Sequence, residues 1–169
     1  NEDNGTDVKL LGWDKAKQDG LFAGKFDSPT DGKNLAKNLM QQGADIILPV
    51  AGSTGLGAAA EAQASGGKAA IIWVDSDGYD TLSPDFRPVL LTSVLKNTGS
   101  AVVEIVKTSI DDTFDNAPFI GTLENGGVGI APFHDLAPRV SAELSAEIDQ
   151  LRSDIVAGTI VVTSPSTPR

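Results

Sequence analysis

Three runs of consecutive apolar residues constrain this chain more than any other feature: Asp45 to Val50, Ala69 to Asp75 and Pro88 to Leu95. A strand that is apolar at nearly every position, not at every second one, is buried on both faces, as in a parallel sheet covered by helices. Helical patterns alternate with these runs. Asp31 to Gln42 carries Leu35, Leu39 and Met40, preceded by the start signal Asp27-Ser28-Pro29 and closed by Gly43. Further helices are expected from about Gly55 to Ala64, over "GSAVVEIVKTSIDDTF" from Gly99 to Phe114, and from Pro138 to Ala157 before Gly158. A short strand is expected at Val8 to Trp13, and two short strands around a glycine-rich hairpin in "APFIGTLENGGVGIAPF". The alternation defines an α/β fold with a mostly parallel sheet flanked by helices.

The totals remove several function classes. The 169 residues carry a net charge of -10, and a surface this acidic repels phosphate backbones, which argues against a nucleic-acid partner. No stretch approaches the ~18 apolar residues of a membrane span. There is no cysteine, and His134 is the single histidine, so thiolate and histidine-cluster metal sites are not available. The chain starts at Asn1, its one methionine is Met40, and "NEDNGTDVKL" lacks the pattern of an export signal. It reads as a processed or truncated chain whose address has been removed.

In α/β sheets ligands gather at the carboxyl ends of strands. Three loops qualify: Gly52 to Gly57, "DSDGYD" after Trp73, and Lys96-Asn97. The turn "GSTGLG" matches neither the dinucleotide fingerprint nor the P-loop, which needs a lysine. It is either a tight connection that needs small residues for packing, or a place where backbone N–H groups meet a neutral ligand. Asp75, Asp77, Asp80 and Asp85 do not have calcium-loop spacing. Asp75 directly ends a strand, where an ionised carboxylate accepts hydrogen bonds from hydroxyls; the alternative is a solvated acidic loop. Lys96 can donate to a ligand oxygen, neutralise Asp75, or simply snorkel. Phe26, in "AGKFDSP", is either a stacking plate for a planar base or a small core anchor. Ser53 is not in a nucleophile elbow, and His134 next to Asp135 has a structural role, so no catalytic centre and no cofactor is expected.

Taken together, "GADIILPVAGSTGLG", "WVDSDGY", "LLTSVLKN", "FIGTLENGGVGIAPF" and "LSAEIDQLRSDIVAGTI" resemble the basic membrane protein family of ABC-transporter substrate-binding lipoproteins, whose best-understood members bind purine nucleosides. The resemblance runs from about Phe22 to Val162, and "GTLENGGVGIAPF" is its most specific segment. It implies a type I periplasmic-binding-protein-like architecture of two α/β lobes joined by hinge crossings, and a full member about twice this length. This chain is similar to the C-terminal half. The implied division is a lobe core over 1–96, a hinge-crossing helix over 97–118 that packs on the missing N-terminal lobe, return strands and a C-terminal helix over 119–162, and a tail over 163–169.

The resemblance also implies a site. Phe26 stacks on the base, Gly52 offers backbone, and Asp75 and Lys96 hold ribose hydroxyls, so the bare turn serves a nucleoside and not a phosphate. Gly78 stands where many members have glutamine. The implied protein is an extracytoplasmic, lipid-anchored capture component that works without chemistry. Its implied partners are a nucleoside, a membrane permease and the N-terminal lobe of the same protein. A binder of a sugar or other small polar ligand, or a ligand-sensing module of a signalling system, is the alternative.

Overall fold

The computed structural model describes residues 5–163. The chain forms two compact units that divide between Ile71 and Ile72, inside one strand.

The first unit holds a two-residue ladder, β1 (Trp13–Asp14) and β2 (Asp19–Gly20), then α1 (Pro29–Gln41), β3 (Ile46–Ile47), a 3-10 turn (Gly52–Thr54), α2 (Gly55–Ala64) and the start of β4 (Ala70–Asp75). Ser28 opens α1 by accepting from the Asp31 N–H, and Pro29 fills the first position, where its missing N–H costs nothing. Gly43, at φ +100, closes the helix in the left-handed conformation. β3 runs parallel to β4 with Ile46 opposite Ala70 and Ile47 opposite Ile71. The expected strand to Val50 contracts to these two residues, and Pro49 has no N–H with which to extend a ladder.

Helices α1 and α2 pack through small residues. Ala36, Ala58, Ala59 and Ala62 are buried. A Cβ on Gly32 would overlap the Thr54 carbonyl oxygen, and one on Gly57 would overlap that of Pro29. Lys33 and Glu61 join the two helices by an ion pair of 3.7 Å.

The expected strand Val8 to Trp13 is corrected to Trp13–Asp14 alone. Gly12 (φ +80) and Gln18 (φ +53) turn the chain back on itself instead of extending it. The Asp14 carboxylate fixes that turn by accepting from the N–H groups of Ala16 and Lys17, at 3.0 and 3.1 Å.

The second unit contains the rest of β4, the short α3 (Gly78–Thr81), a 3-10 segment (Pro84–Val89), β5 (Leu90–Lys96), α4 (Thr98–Ile110), β6 (Val128–Ile130), a 3-10 segment (His134–Arg139) and α5 (Ala142–Val156). β4 neighbours β5, and β5 pairs antiparallel with β6, placing Val94 opposite Ile130 and Lys96 opposite Val128. Trp73, Val74, Val89, Leu90, Ala131 and Leu136 form the core. The buried hydroxyls are satisfied: Thr92 donates to the Ala131 carbonyl at 2.6 Å, and Ser93 Oγ accepts from the Gly78 N–H at 3.0 Å.

The expected pair of strands around the glycine-rich hairpin is corrected to one, Val128–Ile130. The residues before it are organised by Asn125. Its Oδ1 accepts from the N–H groups of Thr122 and Gly127, and its Nδ2 donates to the Ile120 carbonyl. That side chain takes the backbone groups a ladder would have used. The last helix starts at Ala142 behind Ser141, later than expected, because Pro138 belongs to the preceding 3-10 segment. Helix α4 buries none of its residues, and Val102, Val106 and Ile110 stand exposed one helical turn apart.

The α1–α2 contact yields a stability prediction. Gly57→Ala drives a methyl into a backbone carbonyl and is expected to destabilise the fold by about 3 kcal/mol, read from urea unfolding. An unchanged midpoint contradicts the close approach.

Candidate functional site

In the first unit, the glycine turn and the Phe26 loop are built as one piece. The Phe26 carbonyl accepts from the Thr54 N–H at 3.1 Å and from Ser53 Oγ at 2.7 Å. Thr54, 1% exposed, bridges the same loop, its hydroxyl donating to the Lys25 carbonyl and accepting from the Ser28 N–H. Gly52 sits at φ +53 facing this loop, so that a Cβ there would lie 3.6 Å from that of Phe26. A side chain at Gly52 is therefore both strained and crowded. The backbone of Phe26 is clamped while the residue is 74% exposed, so it is not a core anchor of this unit. Ser53 and Thr54, which the sequence reading did not select for this task, do the clamping. Their signal was two hydroxyls inside an otherwise bare turn.

An apolar hollow of about 240 Å³ lies in the same unit, lined by Leu21, Phe22, Leu35, Leu39, Leu48 and Val50 among others. Neither Phe26 nor Gly52 lines it, but Ala51, Thr54 and Gly55 of the same turn do.

In the second unit, β4 ends on Asp75, whose φ is +72. The Ser76 N–H donates to the Val74 carbonyl at 3.0 Å, closing a three-residue γ-turn around Asp75. Aspartate tolerates this left-handed conformation better than most residues, but the turn is still strained. It swings the carboxylate onto Lys96 at the end of β5, with Nζ 2.8 Å from Oδ1. Both side chains are more than half exposed, so the pair adds little to stability, about 0–1 kcal/mol. A carboxylate accepts hydrogen bonds from hydroxyls and an ammonium donates to oxygens, so the two groups offer opposite hydrogen-bonding roles side by side.

Two residues further on, Asp77 does different work. Its Oδ1 caps α3 by accepting from the Tyr79 N–H at 3.0 Å, and its Oδ2 meets His134 Nε2 at 2.8 Å. The His134 and Tyr79 rings stack with centroids 4.1 Å apart and planes 10° from parallel. The Arg87 guanidinium lies 4.4 Å from the Tyr79 centroid, and the Tyr79 hydroxyl donates to Asp135 Oδ1 at 3.0 Å. His134 thus bonds Asp77, distant in sequence, and not the adjacent Asp135. Among the described residues no group of three or more His, Cys, Asp or Glu side chains is arranged to hold a metal ion.

The structure therefore brings Phe26 together with Gly52 in one unit, and Asp75 together with Lys96 in the other. The fold defines the class first: an α/β lobe whose strand-end loops carry polar side chains and an exposed aromatic ring, as small-ligand binders do. The comparisons then give the family. Residues 18–166 match the family described as ABC transporter substrate-binding protein PnrA-like. The chain belongs to this family, whose members are substrate-binding proteins and not enzymes. It is 32% identical over 146 residues to basic membrane protein A of Borreliella burgdorferi, matching 85% of this chain and 41% of that protein. It is 31% identical over 144 residues to basic membrane protein A1 of Borrelia garinii subsp. bavariensis, matching 83% and 40%. Among solved structures, an ABC transporter system solute-binding protein from Aeropyrum pernix K1 superimposes with a TM-score of 0.76 at 25% identity, over 98% of this chain and 50% of that one. The chain spans about 41% of the length of the Borreliella relative.

The Tyr79 cluster makes a direct spectroscopic prediction. The Asp135 carboxylate that takes its O–H, aided by burial, pushes the Tyr79 phenol above its ordinary value of 10.0. Since the raised value belongs to the folded state, the associated stability is fully present below about pH 10 and is lost as pH rises through the folded value. Tyr79 is the one tyrosine, so ultraviolet titration reads it alone. The midpoint is expected above 10 in the native chain and lower in Asp135→Ala; equal midpoints contradict the bond.

Proposed function

We propose that this chain is part of the C-terminal half of an extracytoplasmic, lipid-anchored binding protein that captures a nucleoside between two lobes and presents it to a membrane permease. Asp75 and Lys96 pair with the ribose hydroxyls, Phe26 stacks on the base, and the backbone at Gly52 borders the ligand. The observation that supports this best is the Asp75–Lys96 pair itself. A strained γ-turn and a strand end hold a carboxylate and an ammonium 2.8 Å apart in solvent, where the pair gains little for the fold. Basic membrane protein relatives and a solute-binding structure support capture as the task. The exposed ring of Phe26 favours a nucleoside over a free sugar, which has no planar face to stack. The apolar turns of α4 are the surface that packs on the N-terminal half.

Isothermal titration of the complete protein, both lobes included, with purine nucleosides and with ribose tests this reading. Asp75→Ala is expected to weaken nucleoside binding by about 2–5 kcal/mol, because closure leaves hydroxyls facing a site that has lost its charged acceptor. Ribose alone is expected to bind far more weakly than the nucleoside. An Asp75→Ala protein that keeps full affinity sinks the assignment.

A further inference from the structure

The second unit contains a ring of contacts that closes on the Asp75–Lys96 pair. Asp77 stands two residues after Asp75 and bonds His134 Nε2 at 2.8 Å. His134 follows β6, which is registered on β5 with Val128 opposite Lys96. Lys96 returns to Asp75 at 2.8 Å. The links in this ring are unequal. The side chains of Asp75 and Lys96 are 57% and 66% exposed, whereas those of Asp77 and His134 are 20% and 21% exposed. A charged hydrogen bond withdrawn from water constrains geometry more than an ion pair in solvent. The imidazole is further fixed by stacking on Tyr79, and Tyr79 by its bonds with Asp135 and Arg87. His134 itself is held at φ +41, a conformation its surroundings impose.

We propose that His134 is a positioning residue: acting through Asp77, it holds the strand end that carries Asp75 in place against Lys96, and its change of charge is transmitted to that pair. Neutral His134 donates one N–H to the carboxylate. Imidazolium donates the same N–H with a full charge behind it, drawing Asp77 closer and tightening residues 75–77. The groups facing the ring are Asp77, which caps α3, Tyr79 from α3, Arg87 from the Pro84–Val89 segment by way of Tyr79, and Asp135 on the ring's own segment. On β5, the Ser93 hydroxyl accepts from the Gly78 N–H, and Lys96 ends the strand against Asp75. His134 is the single histidine of the chain, and histidine is the side-chain type that changes charge near neutral pH. The functional meaning of this device rests on the proposal that Asp75 and Lys96 take ligand hydroxyls; the mechanical coupling does not.

The test is nuclear magnetic resonance of the isotope-labelled 169-residue chain from pH 8 to 5.5. It follows His134 Cε1, the Asp75 carboxyl carbon and the Lys96 side chain. The Asp75 and Lys96 signals are expected to move with the midpoint of His134. In His134→Gln, whose amide donates to Asp77 without titrating, they are expected to hold one position across the range. Asp77→Ser keeps a helix-capping oxygen but is too short to reach His134. There the imidazole still titrates, while Asp75 and Lys96 are expected to stay flat. Signals that are flat in the native chain overturn the proposal, as do signals that still follow His134 in Asp77→Ser, which would show a through-space field instead of a clip. Adenosine affinity of the complete protein over the same range separates the two readings. Coupled signals with no adenosine binding at any pH leave the positioning role standing and overturn the ligand reading instead.

Discussion

The strand Ala70–Asp75 is the constraint on which both units depend, because each takes part of it. Its first residues pair with β3, the strand neighbours β5, and its last residue is the strained Asp75. Magnitudes show why the strain survives. Ile71 is fully buried and Trp73 and Val74 nearly so, and each such side chain stabilises by about 1.5–3 kcal/mol. A left-handed backbone at one residue costs about 1–2 kcal/mol. Burial wins with a margin, so the strand can end on a conformation that aims a carboxylate at Lys96 and not back into the sheet.

The glycine turn obeys the same logic in the first unit. Gly57 and Gly32 are small because backbone carbonyls of Pro29 and Thr54 occupy the space a side chain would need. Gly52 is different, since its positive φ and its nearness to Phe26 make it part of the loop that displays an aromatic ring. Of the two readings that the sequence left open for this turn, packing is visible at Gly57.

Much of the fold was legible because local signals agreed with the tertiary outcome. α2 spans Gly55–Ala64 as expected, and α1 starts at the serine and proline that mark it. The misses have a common cause. Val8 to Trp13 and the first half of the glycine-rich hairpin look like strands by composition. Asn125 captures backbone groups within the hairpin, and just after Trp13 the Asp14 carboxylate turns the chain by taking the N–H groups of Ala16 and Lys17; single-residue hydrogen bonding of that kind leaves no periodic trace. Of the candidate site, the strand-end residues Asp75 and Lys96 were legible from position, and their direct pairing was one of the options open to Lys96. The bond from His134 to Asp77 was not, since it joins residues far apart in sequence that only the fold of the second unit brings together. Family membership was legible in the ordered motifs, and the match over residues 18–166 agrees with them.

A long helix with no buried residue, Val102, Val106 and Ile110 standing exposed along it, is an unusual surface for a chain to keep in water. In the two-lobe capture that we propose, that surface and the Asp75–Lys96 pair would serve one event, the closing of the lobes on a ligand. The most direct test is native mass spectrometry of the 17.5 kDa chain mixed with the other half of its protein and an equimolar set of purine and pyrimidine nucleosides. The account predicts a complex of both halves carrying the mass of one nucleoside. A complex of both halves with no nucleoside, or a chain that stays single at its own mass, contradicts it.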